Sequence, residues 1–317
     1  MSIENSQIYL IVKSARPRQW IKNLALYAAL TFSGFFFYQP GSGVPYFATV
    51  TFAVIIFSVL TSSIYIINDI IDMDADRLHP FKKKRPIASG ALSVPVAGTF
   101  AAIGLVTVFL ASLTLSPFFR LTVAAYFILQ ILYAIHLKHI AIIDVLSIAA
   151  GFLLRIYAGA VVVNLHTSVW FLLTVLSASL FLAVGKRQSE RTLMRGREIG
   201  ETRKTLKRYS ERLLDQYTGM FANATWLTYA LFAFQTESVS PEGNLLRVYT
   251  ILPKTLQSQK LLMATVPLVI FGVMRYLQLV YEDNEGESPE KVVLRDKPLL
   301  SAIFLFGLVT MSILYLF

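Results

Sequence analysis

Nine apolar runs of membrane-spanning length dominate this 317-residue chain, at roughly residues 20–38, 47–71, 93–114, 119–136, 140–163, 168–186, 215–235, 261–281 and 298–316. A hydrocarbon core about 30 Å thick is crossed by about 20 apolar residues in helical form. Inside lipid a backbone has no water to bond, so each run must satisfy its own N–H and C=O groups as a helix. Composition agrees: 55% of residues are hydrophobic and 15% charged, with a mean hydropathy of +0.59. Soluble domains carry about 25% charged residues. The expected fold is all-α: a polytopic membrane protein with nine transmembrane helices, one integral membrane domain over residues 1–317, and no separate soluble domain. Gly, Ser and Thr within the spans favour close helix packing in lipid and permit a homo-oligomer. The chain has no cysteine, which excludes disulfides and thiolate chemistry. The start, MSIENSQIYL, lacks the basic lead of a signal peptide, so the first apolar run is expected to be retained.

The connecting segments carry a strong charge asymmetry. With nine spans, 23 of the 29 Lys and Arg residues fall on the side of the N-terminus, and four (Arg120, Arg247, Lys254, Lys260) on the other. Arg155 and Arg275 lie inside spans. Cations collect in cytoplasmic loops. The N-terminus is therefore expected in the cytoplasm, the C-terminus on the far side, and the protein in the cell (inner) membrane. The net charge of +10 then reflects topology and attraction to anionic lipid rather than nucleic acid.

The second run ends in NDIIDMDADRLHPFKKKRP, residues 68–86. On a helix Asp69, Asp72 and Asp76, spaced i, i+3 and i+7, share one face, with Asn68 beside them and Asp74 turned away. Three carboxylates on one face repel one another unless a cation sits among them. Hard oxygen donors suit Mg²⁺ or Ca²⁺, and Mg²⁺ typically uses one or two carboxylates plus substrate phosphates. Four consecutive cations, Lys82 to Arg85, follow. Arg85 precedes Pro86, where the chain is stiff, and is the stronger ligand candidate.

Asn68, Asp69, Asp72 and Asp76, closing the second of nine spans, resemble the first aspartate motif of the UbiA-type prenyltransferase superfamily. That resemblance implies a helical bundle around a central cavity, facing the cytoplasm, that binds a diphosphate through Mg²⁺. Members usually carry a second aspartate motif at the end of the sixth span. This chain has GKRQSER there (185–191), with Lys186 and Arg187 in place of acidic ligands. RPRQWIKN (16–23), DRLHPFKKKRPIASG (76–90), LKHIAIIDVLSIAAGFLLRIYAGA (137–160) and LRDKPLL (294–300) are similar to the branch of decaprenyl-phosphate phosphoribosyltransferases. The branch implies transfer of 5-phosphoribose from phosphoribosyl diphosphate (PRPP) to a polyprenyl phosphate, on the route to lipid-linked arabinofuranose donors. The alternative is transfer of a prenyl group to an aromatic or other acceptor, which calls for acidic residues at the sixth span.

The resemblance assigns Asp69, Asp72 and Asp76 as the catalytic carboxylates, and with Asn68 as the Mg²⁺ site. Lys82 and Arg85, and from another side Lys186 and Arg187, are expected on phosphate oxygens. Lys22, Tyr133 and Lys138 stand near the same membrane face and are expected to donate to phosphate. Asp144 and Arg155 lie eleven residues apart in span 5, about 16 Å along a helix, too far to pair. An intramembrane charge is a functional hypothesis by default. Arg155 is expected either to bind the lipid phosphate or to pair with a buried carboxylate, and Asp144 to meet ribose hydroxyls or the metal site. His136 and His139 read as interface residues, since an ionised phosphate nucleophile needs no general base.

Overall fold

The computed structural model describes residues 6–78, 82–193, 208–236, 260–282 and 289–316, without the side chains of 192–193 and 289–291. Residues 194–207 of the polar stretch 187–214, and 237–259 of the stretch 236–260, lie outside these residues. All regular structure among the described residues is helical. The α-helices are α1 (Gln7–Ala15), α2 (Tyr27–Phe32), α3 (Tyr46–Ile71), α4 (Met73–Leu78), α5 (Val94–Ser112), α6 (Pro117–Ile135) and α7 (Ile143–Val162). They continue with α8 (Val169–Leu193), α9 (Glu211–Gln235), α10 (Val266–Tyr281), α11 (Pro289–Arg295) and α12 (Lys297–Tyr315).

Among the described residues, seven helical segments are long and apolar enough to cross a membrane: α3, α5, α6, α7, α8, Leu261–Tyr281 (α10 with the 3₁₀ turn before it) and α12. The expected count of nine is not reached among the described residues, and the two remaining runs explain why. Residues 20–38 form a 3₁₀ stretch, Pro17–Leu26, followed by the six-residue α2. Residues 215–235 are helical within α9, but that helix opens on Glu211, Arg212 and Asp215 and is not among the apolar candidates.

The helices group into two compact units: Met1–His166 with Glu198–Arg208, and Thr167–Arg197 with Tyr209–Phe317. In the first, α3 is the central post, with 61% of its apolar window buried against 17% for α5. Leu60, Phe57, Val50 and Leu30 pack there with Phe119 and Tyr126, and Phe57 meets the Tyr126 ring at 5.3 Å between centroids. A second cluster, of Leu10, Ile66, Ile87, Leu92, Ala97 and Ala101, seats α1 and the 85–92 turn against α3 and α5. It thereby fixes the residues flanking the acidic patch.

The Pro17–Leu26 stretch lies hard against α7. A Cβ on Gly159 would overlap the backbone carbonyl of Leu26, so only glycine allows this approach. Arg155, one turn earlier, is buried and bonds across the same seam. Its Nε donates to Asn23 Oδ1 at 3.0 Å, Nη1 to the Gly151 carbonyl at 3.1 Å and Nη2 to Tyr126 Oη at 2.6 Å. The guanidinium stacks 4.8 Å from the Tyr126 centroid and 5.3 Å from that of Phe152. Asn23 Nδ2 donates on to Ser58 and Thr61 of α3. Among the described residues, Arg155 pairs with no buried carboxylate. Neutral acceptors and aromatic faces hold the charge instead.

In the second unit, α8 packs along α9, and Phe181, Ala222, Val273, Tyr276 and Leu279 form the core. Arg275, inside a span, makes a two-pronged pair with Asp296: Nε to Oδ1 at 3.2 Å and Nη2 to Oδ2 at 2.7 Å. Asp296 also caps α12 by accepting from the Leu299 N–H at 2.8 Å. The LRDKPLL motif thus acts structurally here, joining α10 to α12. The hydrogen bond from Arg275 holds the Asp296 carboxyl below the usual carboxylate range.

Two outcomes follow from this packing. Gly159→Ala should lower the thermal unfolding midpoint in detergent by more than Gly307→Ala, whose added Cβ meets open space. Because the folded pKa of Asp296 is depressed, its stabilisation is complete above the unfolded value of about 3.9 and is lost as pH falls through the folded value. Asp296→Ala should therefore destabilise at pH 7 by about 1 kcal/mol from the lost cap alone. The gap from the parent protein should narrow below about pH 4.

Candidate active site

The acidic patch sits where α3 stops. Asn68 and Asp69 occupy its last turn, Asp72 caps it with φ −88° and ψ 4°, and α4 resumes at Met73. The helical bonds survive the break: Asp72 N–H donates to the Asn68 carbonyl at 2.9 Å and Asp76 N–H to the Asp72 carbonyl at 2.8 Å. The spacing read from the sequence is therefore kept. Asp69 and Asp76 are buried, with side chains 3% and 4% exposed, whereas Asp72 is 27% exposed. Asp74 points outward, 88% exposed, and among the described residues pairs with Arg77.

Cations from three other segments neutralise the three inward carboxylates. Asp69 Oδ1 accepts from Arg16 Nη2 and, at 3.1 Å, from Arg85 Nη1. The same Arg85 nitrogen donates to Asp76 Oδ2 at 2.5 Å, and Lys82 Nζ stands 4.0 Å from Asp76 Oδ1. Lys138 Nζ donates to Asp72 Oδ1 at 2.5 Å, and Asn68 Nδ2 to Asp72 Oδ2 at 3.2 Å. Charge-assisted bonds of this kind repay part of the cost of burying carboxylates. Of the predicted residues, the structure thus assembles Asn68, Asp69, Asp72, Asp76, Lys82, Arg85 and Lys138.

Arg16, which the candidate residues named from the sequence did not include, belongs to this site. It adopts a left-handed conformation, φ 52° and ψ 60°, directly before Pro17. A non-glycine residue reaches that region at a cost, and such strain collects at functional sites. Burial of Leu10 and Ser14 in α1 and the 3₁₀ stretch after Pro17 hold it there, over the Tyr65 ring at 5.0 Å. The recoverable signal was the RPRQWIKN motif itself. Ile142, at φ 71°, is a second outlier; it opens α7 just before the buried Asp144.

The other predicted residues of the first unit lie on neighbouring elements. Lys22 is half-buried on the Pro17–Leu26 stretch, Tyr133 lies in the final turns of α6, and Asp144 in the first turn of α7. Arg155 lies deep in α7 with the neutral partners described above.

Lys186 and Arg187 are on α8, in the second unit. Arg187 is 3% exposed and pairs with Glu190 at 2.7 Å. Beside it Gln188 Nε2 donates to Asp215 Oδ1 at 2.9 Å, and Tyr281 Oη donates to the same oxygen at 2.9 Å. Arg191 donates to the Tyr209 carbonyl. A solvated stop-transfer charge would not be buried in such a network.

The donor set has the chemistry for a hard divalent cation: carboxylates plus an amide, one carboxylate accessible. Among the described residues no three acidic or histidine side chains converge on one point, because Arg16, Arg85 and Lys138 are interposed.

Comparison with known proteins matches this geometry to a family. Residues 27–295 fit the UbiA prenyltransferase family. The chain is 34% identical over 302 residues to decaprenyl-phosphate phosphoribosyltransferase of Mycolicibacterium smegmatis, covering 93% of this chain and 89% of the relative. It is 32% identical over 293 residues to the Corynebacterium glutamicum protein of the same name, covering 91% and 82%. In fold it is similar to a UbiA homolog from Archaeoglobus fulgidus bound to GPP and Mg²⁺, with a TM-score of 0.67 at 18% identity over 96% of this chain and 99% of that one. This multi-pass helical chain belongs to the UbiA prenyltransferase family.

Proposed function

We propose that this protein transfers 5-phosphoribose from PRPP to a polyprenyl phosphate and releases diphosphate, feeding a route to lipid-linked arabinofuranose. The observation that carries this reading is the company kept by the carboxylates. Arg16, Lys82, Arg85 and Lys138 surround Asp69, Asp72 and Asp76. PRPP brings a diphosphate and a 5-phosphate, and the acceptor brings another phosphate. Such a load calls for more cations than a prenyl diphosphate alone. The names of the M. smegmatis and C. glutamicum relatives support the same substrates.

A phosphate oxygen of the lipid attacks C1 of the ribose. The C1–O bond to diphosphate breaks, and the diphosphate leaves with the bonding pair. Attack opposite the leaving group inverts C1 and gives the β-linked product. In the substrate-free chain Arg16, Lys82, Arg85 and Lys138 neutralise the carboxylates. With PRPP bound, their N–H groups turn to phosphate oxygens and hold two mutually repelling anions together. Asp72, with Asp69, Asp76 and Asn68, would hold Mg²⁺, which supplies charge neutralisation of the departing diphosphate. Lys186 and Arg187, and Lys22, Tyr133, Asp144 and Arg155, are assigned to phosphate or ribose oxygens of the substrates. Residues 1–317 are taken as one integral membrane transferase domain. Residues 20–38 and 215–235 complete nine crossings, with the aspartates facing the cytoplasm.

Purified protein in detergent, given PRPP, decaprenyl phosphate and Mg²⁺, should form a lipid-linked phosphoribose detectable by mass, and EDTA should abolish it. Asp72→Ala should lower kcat/KM by about 100-fold or more, as loss of a group stabilising developing charge does. Asp74→Asn, at an outward-facing position, should stay within about twofold. If instead prenyl diphosphate and an aromatic acid react and PRPP does not, the alternative transferase reading replaces this one. The cysteine-free chain also permits a topology test. Asp74→Cys should be labelled by a membrane-impermeant maleimide only from the cytoplasmic side, and Ser42→Cys only from the opposite side.

A further inference from the structure

A groove of about 600 Å³ runs along the first unit between α3, α5 and α6, away from the aspartates. Leu60, Val108 and Val123, all buried, form its floor, and Phe109 and Leu121, 63% and 67% exposed, form its walls. Its lining is apolar except for Ser112 and Arg120. The Ser112 hydroxyl is spent on the Phe109 carbonyl, at 2.8 Å. Arg120 stands at the rim, one turn into α6, and its guanidinium has no hydrogen-bond or ion-pair partner among the described residues.

Three features select the occupant. Along α6 the lining runs from Pro117 to Phe127, ten residues or about 15 Å of helix, half of a hydrocarbon core about 30 Å thick. The volume lies in the range of sites that enclose one small ligand. The only charge at its rim is a cation, placed where α6 begins and the α5–α6 turn closes against α7 through the Ser116 hydroxyl and the Val161 carbonyl, 3.2 Å apart. A hydrocarbon chain of one-leaflet length topped by an anion meets all three.

We propose that this groove is a binding site for an anionic phospholipid of the leaflet opposite the aspartates, with an acyl chain in the groove and the phosphate on Arg120. Arginine suits this task because its planar fork bonds phosphate oxygens while its stem lies along apolar surface. The proposal is independent of the reaction assigned above.

The test compares phosphatidylglycerol with phosphatidylcholine of identical acyl chains, added to the detergent-solubilised full chain. Phosphatidylglycerol should raise the unfolding midpoint by about 3 °C more than phosphatidylcholine, and one copy should persist in native mass spectra. Arg120→Gln should remove that preference, and Arg120→Lys should restore part of it. Ala124→Trp, which fills the groove from an exposed position, should remove the retained lipid. Equal response to both lipids, or an unchanged preference in Arg120→Gln, overturns the proposal. Displacement of the retained lipid by polyprenyl phosphate overturns it in favour of a substrate site. A change of oligomeric mass in Ala124→Trp without loss of lipid overturns it in favour of a second copy of the chain.

Discussion

Burying carboxylates at the end of a membrane helix is the constraint on which the first unit depends. Asp69 and Asp76 are almost fully withdrawn from solvent, and an isolated carboxylate there would be costly. The chain meets that cost with cations from separate segments: Arg16 after α1, Arg85 after the lysine run, and Lys138 between α6 and α7. Each must be delivered by its own packing. The Leu10, Ile66, Ile87 and Leu92 cluster brings in the first two, and the 3₁₀ turn Leu137–His139 presents the third. Electrostatic demand at one point thus dictates how four stretches of chain converge. The same groups that satisfy it are the ones a polyphosphate substrate needs.

Deeper in the unit a different solution handles a lone positive charge. Among the described residues, Arg155 meets an amide oxygen, a backbone carbonyl, a tyrosine hydroxyl and two ring faces. These acceptors come from the Pro17–Leu26 stretch, α6 and α7 itself. The charge therefore ties that stretch to the helices, close to where Gly159 lets the two backbones touch. The rigidity gained holds the segment leading back to Arg16. The side-chain bond from Arg155 to Asn23 anchors the stretch that begins directly after Arg16.

The resemblance drawn from the sequence calls for a second acidic motif at the end of the sixth span. The GKRQSER stretch here carries basic residues instead, and Arg187 is buried against Glu190 beside the Gln188–Asp215–Tyr281 group. Such a network fixes side chains rather than leaving them to follow solvent.

The helical class, the membrane setting, the i, i+3, i+7 face of aspartates and the outward turn of Asp74 are all legible in the order of residues. Length, hydropathy and helical period are local properties, legible without a neighbour. The sequence could not decide which cation meets which carboxylate, because pairs such as Lys138 with Asp72 and Arg16 with Asp69 join residues 66 and 53 positions apart. Nor did it separate the roles of Arg155 and Arg275, which hydropathy scores alike as charges in lipid. Only the tertiary structure gave one a cradle of neutral acceptors and the other the capping carboxylate of the next helix. The run at 20–38 shows the same limit. Its composition suits a span, but close packing of Leu26 on Gly159 and bonding of Asn23 to Arg155 accompany a 3₁₀ stretch and a short helix there. Hydropathy reports how a segment partitions into lipid, whereas its winding depends on what packs against it.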